Sequence, residues 1–446
     1  MPSESRQAPR GAALVALGVA LAYSLIALVQ WHTLAAPSWD LGIFSQLAKA
    51  YSTASAPIVP IKGEEFNLLG DHFHPLLVLL GPLWRIWPSP LMLLVLQGGL
   101  FGLSAYPLTR LAIERLGTVW GLLLGIAYGL SWGLQFAVST QFHEIAFAVP
   151  ILAFGLAAYL RGNALPAALW VGALVFVKED LGITVAVFGV ILALRGPRRA
   201  RLGWSLAAWG LAWTALATLV ILPALNPESA YDYTDNVASL AGLFVPIEKW
   251  LTVALLVGTA GVIGLRSPLI ALMLPTLAWR FAGSVEYYWD WRWHYSAILM
   301  PIAIAALLDA AGTRRLAPYV RLAVPLSAAS TLILGGSLPL ATLVDPGVRA
   351  VSPRLAAALE VIDAIPEGAR VETDLTLMAR LVPHAEVYWL GNSNPVPDAV
   401  VIDAESYVWQ DVPDPNAAEW ASDRYGVAFE MVLEADGFQL AVRAEP

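Results

Sequence analysis

Long apolar runs follow one another through the first three quarters of the chain, and they constrain its fold more than any other feature. A helix that crosses a membrane satisfies its own backbone hydrogen bonds and needs roughly 20 apolar residues. The runs therefore predict a mainly α, polytopic membrane protein with about 11 transmembrane helices. The predicted spans are 11–31, 90–113, 117–136, 145–160, 164–177, 181–195, 203–223, 248–265, 268–282, 296–311 and 318–341.

The composition excludes several other classes of protein. Hydrophobic residues make up 58% of the chain and charged residues only 13%, against roughly 25% charged residues in soluble domains. An ordinary soluble enzyme and a nucleic-acid binder with a basic face are therefore excluded. The chain has no Cys, which excludes disulfides and thiolate-ligated metal sites.

The charge balance changes near Asp345 and predicts two domains. Residues 345–446 carry 18 acidic and 6 basic side chains, whereas residues 1–344 carry 16 acidic and 20 basic ones. We predict a transmembrane domain at 1–344 and a soluble acidic domain at 345–446. Short apolar strands alternate with helices in the second part, which is typical of a small α/β domain.

The distribution of arginine predicts the orientation in the membrane. The run 74–87 is short and contains two prolines, so we expect it to lie on the outer surface rather than to span. With the N-terminus in the cytoplasm, 13 basic and only 3 acidic residues then fall on the inner side. This asymmetry follows the positive-inside rule and places the C-terminal domain outside. The short inner loops are interpreted as topology signals only.

The first outer loop, roughly 32–89, contains the most informative polar residues. Asp40 begins a stretch, 40–51, with apolar residues at helical spacing, which predicts a short amphipathic helix on the membrane surface. Asp40 suits an N-cap and also a general base at the membrane boundary, and the two roles are compatible. Further along, His72 and His74 flank Phe73, and three interpretations stay open: a polar loop, a phosphate contact or a metal ligand.

Other candidate residues occur at the outer ends of later spans. Charged side chains there either stop a helix at the interface or line a cavity, and we favour a contact with an anionic group for Lys178. Aromatic residues crowd the segments 231–235 and 287–295 and suit both an interfacial belt and a sugar- or lipid-binding surface. The candidates are His143, Glu144, Lys178, Glu179, Asp180, Arg292 and His294.

Four motifs in a fixed order resemble a known family. They are Asp-Leu-Gly-Ile-Phe from Asp40, His-Phe-His-Pro from His72, Gln-Phe-His-Glu from Gln141 and Lys-Glu-Asp from Lys178. Over about 39–407, this order resembles a bacterial membrane-protein family catalogued as domain of unknown function 2079. That family is similar to the GT-C glycosyltransferases, which take a sugar from a polyprenyl-phosphate donor on the outer face of the membrane.

The resemblance implies a fold and an activity. It implies two juxtamembrane helices in the first outer loop, matched by 40–51 and 74–87, and a catalytic base, matched by Asp40. Many GT-C enzymes have a second acid beside the base; this chain has Leu41 there, and Glu144 is the candidate substitute. The remaining candidates would contact substrate or phosphate, with Lys178, Arg292 and His72 stabilising the leaving phosphate.

The expected partners follow from the same resemblance. They are a polyprenyl-phosphate-linked sugar, a cell-envelope glycan, lipid or protein acceptor, and the bilayer of the inner or plasma membrane. No cofactor is certain, no metal ligands are assigned, and a divalent metal is one option. The alternatives are a lipid or solute transporter or flippase, and a catalytically silent membrane assembly protein. A transporter would favour inverted repeats and mid-span charges, and the sequence has neither.

Overall fold

The computed structural model describes residues 2–35, 39–227 and 240–444, so the aromatic segment 231–235 lies outside the described residues. The described chain is mainly helical, with a small sheet near its C-terminus. Its helices are α1 (Pro2–His32), α2 (Trp39–Ser52), α3 (Leu80–Ile86), α4 (Pro90–Leu116), α5 (Thr118–Gly129), α6 (Trp132–Ser139), α7 (Ile145–Leu160), α8 (Ala164–Gly172), α9 (Leu181–Leu194), α10 (Pro197–Leu216), α11 (Leu222–Leu225), α12 (Lys249–Thr259), α13 (Leu274–Ala282), α14 (Glu286–Trp289), α15 (Leu299–Ala311), α16 (Val320–Leu332), α17 (Pro346–Arg349), α18 (Leu355–Asp363), α19 (Leu375–Leu381) and α20 (Ala417–Tyr425).

Several of these helices are long and apolar enough to cross a membrane. Within the described ranges there are four such segments, or five if a segment bent by 63° between Ser296 and Leu299 counts as one span. Shorter apolar helices of 10–17 residues fill much of the remaining helical part. The four segments are Ala8–His32, Pro90–Leu116, Thr118–Ser139 and Pro197–Leu225.

The predicted last span, 318–341, is shorter as a helix than expected. α16 ends at Leu332, and two 3-10 turns follow, Gly335–Ser337 and Pro339–Leu343. Gly335 has a positive φ of 52°, which ends regular α-helix, and Pro339 cannot donate a backbone hydrogen bond.

Glycines allow α9 and α10 to pack with their backbones in contact. A methyl group on Gly203 of α10 would lie 2.5 Å from the carbonyl oxygen of Gly189 on α9, and one on Gly182 would lie 2.5 Å from the carbonyl oxygen of Gly210. Small residues at a helix contact are typical of membrane helices, where close backbone packing replaces the hydrophobic effect as the driving force.

The first loop contains both predicted short helices. α2 lies near the predicted range 40–51, and a 3-10 turn at Pro75–Leu79 leads into α3. α2 differs from a simple surface helix because all of its residues from Leu41 to Ala48 are buried. Its second side is covered by α19, which belongs to the C-terminal part of the chain, residues 345–446, here called the tail. The sequence did not indicate α19, and its Met378 lies against Gly42.

The tail forms a five-stranded mixed sheet. Its strand order is β2-β1-β3-β5-β4. Strands β1 to β3 are parallel to one another, β5 is antiparallel to β3, and β4 is antiparallel to β5. The apolar runs predict strands at 369–372, 386–390 and 399–403 and a hairpin at about 427–433 and 438–443, close to where the structure has them. The strands are β1 (Arg370–Thr373), β2 (Glu386–Trp389), β3 (Ala399–Asp403), β4 (Phe429–Ala435) and β5 (Phe438–Arg443).

The sheet is fastened directly to α2. The ammonium group of Lys49 donates to the carbonyl oxygens of Val382, Pro383 and Ala385 at 2.6–3.3 Å. Next to it, Gln46 donates to Val387 at 2.8 Å, while the rings of Trp39 and Trp389 are 4.2 Å apart. These contacts place the tail on the same side of the molecule as the first loop.

Candidate functional site

Three ion pairs bring together side chains that are far apart in sequence. Asp40 of α2 meets His143, Glu144 meets Lys178, and His72 of the first loop meets Glu179. The residues lie in the connections before α7 and α9 and in the first loop, outside the apolar helical segments themselves. We call this set the charged cluster: Asp40, His72, His143, Glu144, Lys178 and Glu179.

A glutamine of α4 shapes the turn that carries His143. The amide of Gln97 donates to the carbonyl oxygens of Ala137 and Gln141, both at 2.9 Å. Its own oxygen accepts the backbone N–H of His143 at 3.2 Å. Gln141 has a φ of 64°, so the turn needs this support against backbone strain. Gln97 is a residue that the sequence did not single out, because a polar residue in an apolar span has many structural explanations.

Asp40 is the most exposed member of the cluster. Its side chain is 45% exposed, and its carboxylate lies 3.3 Å from Nε2 of the buried His143. Nδ1 of the same ring lies 3.2 Å from the carbonyl oxygen of Gln141. Both ring nitrogens thus face acceptors, which only the imidazolium form satisfies. Burial opposes that charge, but the Asp40 carboxylate prevails and raises the pKa of His143.

The pair Lys178–Glu144 is a buried charge contact of the site. The ammonium nitrogen lies 2.7 Å from the carboxylate, and both side chains are largely shielded from solvent. Burial alone would raise the pKa of Glu144, but Lys178, His72 and His143 hold it well below its usual range. Beside the pair, burial raises the pKa of Asp180 to about 6, so this carboxyl is protonated more easily than an ordinary aspartate.

Glu179 joins the first loop to the start of α9. One of its oxygens lies 2.9 Å from Nδ1 of His72, and the other accepts the backbone N–H of Phe73 at 3.0 Å. Although burial and Lys178 oppose it, Glu179 raises the pKa of His72. His74 is also buried, and burial lowers its pKa to about 4, which keeps this imidazole neutral near pH 7.

A small cavity opens beside the cluster. His294 stacks on His143, with ring centroids 3.5 Å apart, and Tyr295 follows it along the cavity wall. Nδ1 of His294, Nε1 of Trp279 and Oδ1 of Asp180 are buried atoms without a hydrogen-bond partner in the described structure. The cavity therefore offers polar groups to a ligand. Its lining consists of Glu144, Ile145, Lys178, Asp180, Leu181, Thr276, Trp279, His294, Tyr295 and Ile298.

Two arginines near the aromatic segment have different surroundings. Arg292 is 60% exposed and pairs with Asp290, and its described contacts do not include the cluster. Arg280 of α13 is fully buried and donates to the carbonyl oxygens of Tyr288 and Asp290 and to the hydroxyl of Ser296. Its charge is thus bonded to neutral acceptors. The sequence did not indicate Arg280, because nothing in its apolar helix distinguishes it from an interfacial arginine.

Metal ligation was an open interpretation for the histidines. In residues 2–35, 39–227 and 240–444, no group of three or more His, Asp or Glu side chains is arranged to hold a metal ion. The chemistry that the described side chains offer is proton transfer at Asp40, hydrogen bonding in the cavity and charge stabilisation by Lys178 and Arg280.

The helices, the buried charged cluster and the attached sheet define a helical membrane protein with a polar site at the ends of its apolar helices. Residues 30–440 match a family described as "Predicted membrane protein (DUF2079)". The chain belongs to this family, and the resemblance expected from its four motifs is confirmed. A search of curated proteins gives no match.

Proposed function

We propose that this protein is a GT-C-like membrane glycosyltransferase that moves a sugar from a polyprenyl-phosphate donor to an acceptor on the extracytoplasmic face. The observation that carries the proposal is the position of Asp40. Its carboxylate is exposed at the rim of a buried charged cluster and is oriented by His143 at 3.3 Å. A partly exposed carboxylate is suited to accept a proton from a substrate hydroxyl. Its histidine partner stacks on His294 of the cavity wall, which connects Asp40 to the cavity.

The reaction would proceed by direct displacement at the anomeric carbon. The acceptor hydroxyl oxygen attacks that carbon while Asp40 takes the hydroxyl proton. The bond between the carbon and the phosphate oxygen breaks, and its electron pair leaves with the polyprenyl phosphate. His143 acts as a positioning residue, because it fixes the direction of the Asp40 carboxylate without touching the reacting atoms.

The leaving phosphate gains charge and needs fixed cations nearby. Within the cluster each of the three ion pairs formally cancels, so these pairs give no net attraction. Arg280 is the exception in this region because its three described acceptors are neutral. We therefore add Arg280 to Lys178 as a source of positive potential. Lys178 reaches the phosphate by exchanging or sharing its contact with Glu144.

The proposed orientation has an N-terminus in the cytoplasm, about 11 spans, and residues 345–446 as an extracytoplasmic domain. The arginine distribution supports it. The contacts of Lys49 and Gln46 with the tail support placing the sheet on the same side as Asp40. In this proposal, each shorter apolar helix crosses the membrane together with a non-helical segment that continues from its end. Some of these segments carry the cluster.

Replacement of Asp40 by asparagine tests the function. Asn has nearly the same shape but is not a base, and general-base catalysis commonly contributes about 10²–10⁴-fold. Purified Asp40→Asn should bind a supplied polyprenyl-phosphate sugar but release polyprenyl phosphate at least about 100-fold more slowly than wild type. Asp423→Asn, an exposed carboxylate of α20, is the matched control and should keep the wild-type rate.

The other outcomes distinguish the rival functions. Equal turnover in wild type and Asp40→Asn removes Asp40 from the mechanism. Absence of turnover with any supplied donor, together with movement of lipid across vesicles, favours a transporter instead. Absence of both favours a catalytically silent assembly protein.

A further inference from the structure

A second pocket lies at the arginine-rich ends of the helices, among residues that the proposed reaction does not use. It is formed by α4, the end of α7, the connection 161–163 and α8. From the sequence alone, these arginines are interpreted as topology signals only. The pocket is lined by Tyr106, Pro107, Arg110, Phe154, Ala157, Ala158, Arg161, Asn163 and Trp170.

The polar side of the pocket has an excess of positive charge. Arg110 and Arg161 share one carboxylate, Glu114, at 2.9 Å each, which leaves a formal charge of +1 on the three side chains. Two more arginines brace the same connection: Arg115 donates to the carbonyl of Leu160, and Arg199 donates to that of Gly162 at 3.4 Å. The local field therefore favours an anion.

The other side of the pocket is apolar. Phe154 and Trp170 stack with their ring centroids 5.2 Å apart and their planes 21° from parallel. Trp170 is 43% exposed, so the wall continues to the surface of the helix bundle. Ala157 and Ala158 leave room in front of the rings. A charged side and an apolar side within one pocket match an amphiphile better than a small soluble anion.

We propose that this pocket binds an anionic phospholipid, with the headgroup phosphate on Arg110 and Arg161 and the start of an acyl chain along Phe154 and Trp170. Arginine forms bidentate hydrogen bonds with phosphate, and basic pockets between membrane helices suit anionic headgroups. Glu114 competes with the phosphate for the same two guanidinium groups, so it sets the affinity. This inference does not depend on the proposed transferase activity.

Native mass spectrometry of the full chain in detergent, with added phosphatidylglycerol or phosphatidylcholine of equal chain length, tests the proposal. Wild type should prefer phosphatidylglycerol. Two arginines near a headgroup together correspond to about 30-fold in affinity, so Arg110→Gln/Arg161→Gln should weaken phosphatidylglycerol binding by about this factor. Glu114→Gln frees both cations and should strengthen it. Arg314→Gln/Arg315→Gln removes the same charge from two exposed arginines and should change little.

Four results would overturn the proposal. They are equal binding of the two lipids, an equal loss of affinity in the control variant, no gain in Glu114→Gln, and displacement of the lipid by inorganic phosphate alone. The third result would mean that the contact of Arg110 and Arg161 with Glu114 serves only to hold the helices together. The fourth would make the pocket a site for a soluble anion. The Glu114→Gln variant is expected to bind phosphatidylglycerol more tightly than wild type. This expectation can be contradicted even if the double arginine variant does not fold.

Discussion

At the level of single residues, the site depends on charges that are held in pairs. Glu144 has its low pKa because Lys178, His72 and His143 surround it, and Lys178 is the cation in direct contact with it, at 2.7 Å. Breaking one partner of a buried ion pair commonly costs about 3–5 kcal/mol, whereas removing both charges costs far less. A loss of activity after a single substitution at Lys178 would therefore combine the effect of misfolding with the effect of the missing cation.

The pair of variants Lys178→Met and Lys178→Met/Glu144→Gln separates the two effects. We expect the single variant to lose about 3–5 kcal/mol of stability and the double variant to recover most of it. Donor binding should stay weak in both, because both lack the cation. Thermal unfolding and donor binding, measured in the same detergent, check this. Wild-type donor affinity in the double variant would show that Lys178 serves only Glu144.

His74 predicts a dependence of stability on pH with a definite sign. Its pKa is about 4 in the folded protein because of burial, against about 6.5 in the unfolded chain. Between these values the unfolded chain binds the additional proton, so stability falls as pH decreases from about 6.5 to about 4. The full effect is roughly 3 kcal/mol.

The His74→Gln variant should have a flatter stability profile than wild type over that range. His384→Gln, which removes a half-exposed histidine of the tail, is the control and should keep the wild-type slope. Asp180, with a pKa of about 6, contributes with the opposite sign in the same range. The informative quantity is therefore the difference between the unfolding profiles of His74→Gln and wild type, and equal slopes would contradict a buried neutral His74.

At the level of elements, the contact between α9 and α10 depends on glycines, whose side chain is a single hydrogen atom. A methyl group on Gly203 would lie 2.4 Å from the backbone nitrogen of Ala193, so the helices would have to separate. Gly203→Ala should cost about 1–3 kcal/mol, the usual cost of overpacking. Gly99→Ala on α4 is the matched control, because nothing lies within 4 Å of the added methyl group. It should be neutral or stabilising by up to about 1 kcal/mol. Thermal unfolding of both variants checks the prediction, and equal midpoints would contradict the close helix contact.

The sequence predicts the positions of most helices and strands but not which other elements pack over them. The apolar runs gave the positions of α1, α4 and the strands of the tail, because periodicity is a local property. Whether α2 faces solvent or the tail depends on α19, which is more than 300 residues away in sequence. The same limit applies within the site. Lys178 and Glu144 were identified as candidates from their positions at helix ends, but their pairing, the bracing of His143 by Gln97 and the burial of Arg280 are tertiary contacts.

At the level of the whole molecule, the charged cluster and the sheet lie on one side. The arginine-rich pocket lies at the opposite ends of α4 and α7 from the connections that carry the cluster.

The chain contains no Cys, so single cysteines can report orientation without background labelling. In intact cells, Glu64→Cys and Asp411→Cys should react with a membrane-impermeant maleimide. Arg198→Cys and Arg314→Cys should react only after the membrane is opened. All four positions are exposed in the structure. The reverse labelling pattern would invert the proposed orientation.

A structure of Asp40→Asn with a bound polyprenyl-phosphate sugar would show whether the charged cluster is the transfer site, because the variant should bind the donor without consuming it. We expect the donor phosphate beside Lys178 in the cavity, with the anomeric carbon facing position 40. The tail should remain docked on α2 through Lys49. Density for the donor phosphate only at the Arg110–Arg161 pocket, or density for the sugar away from position 40, would contradict the assignment of the charged cluster as the transfer site.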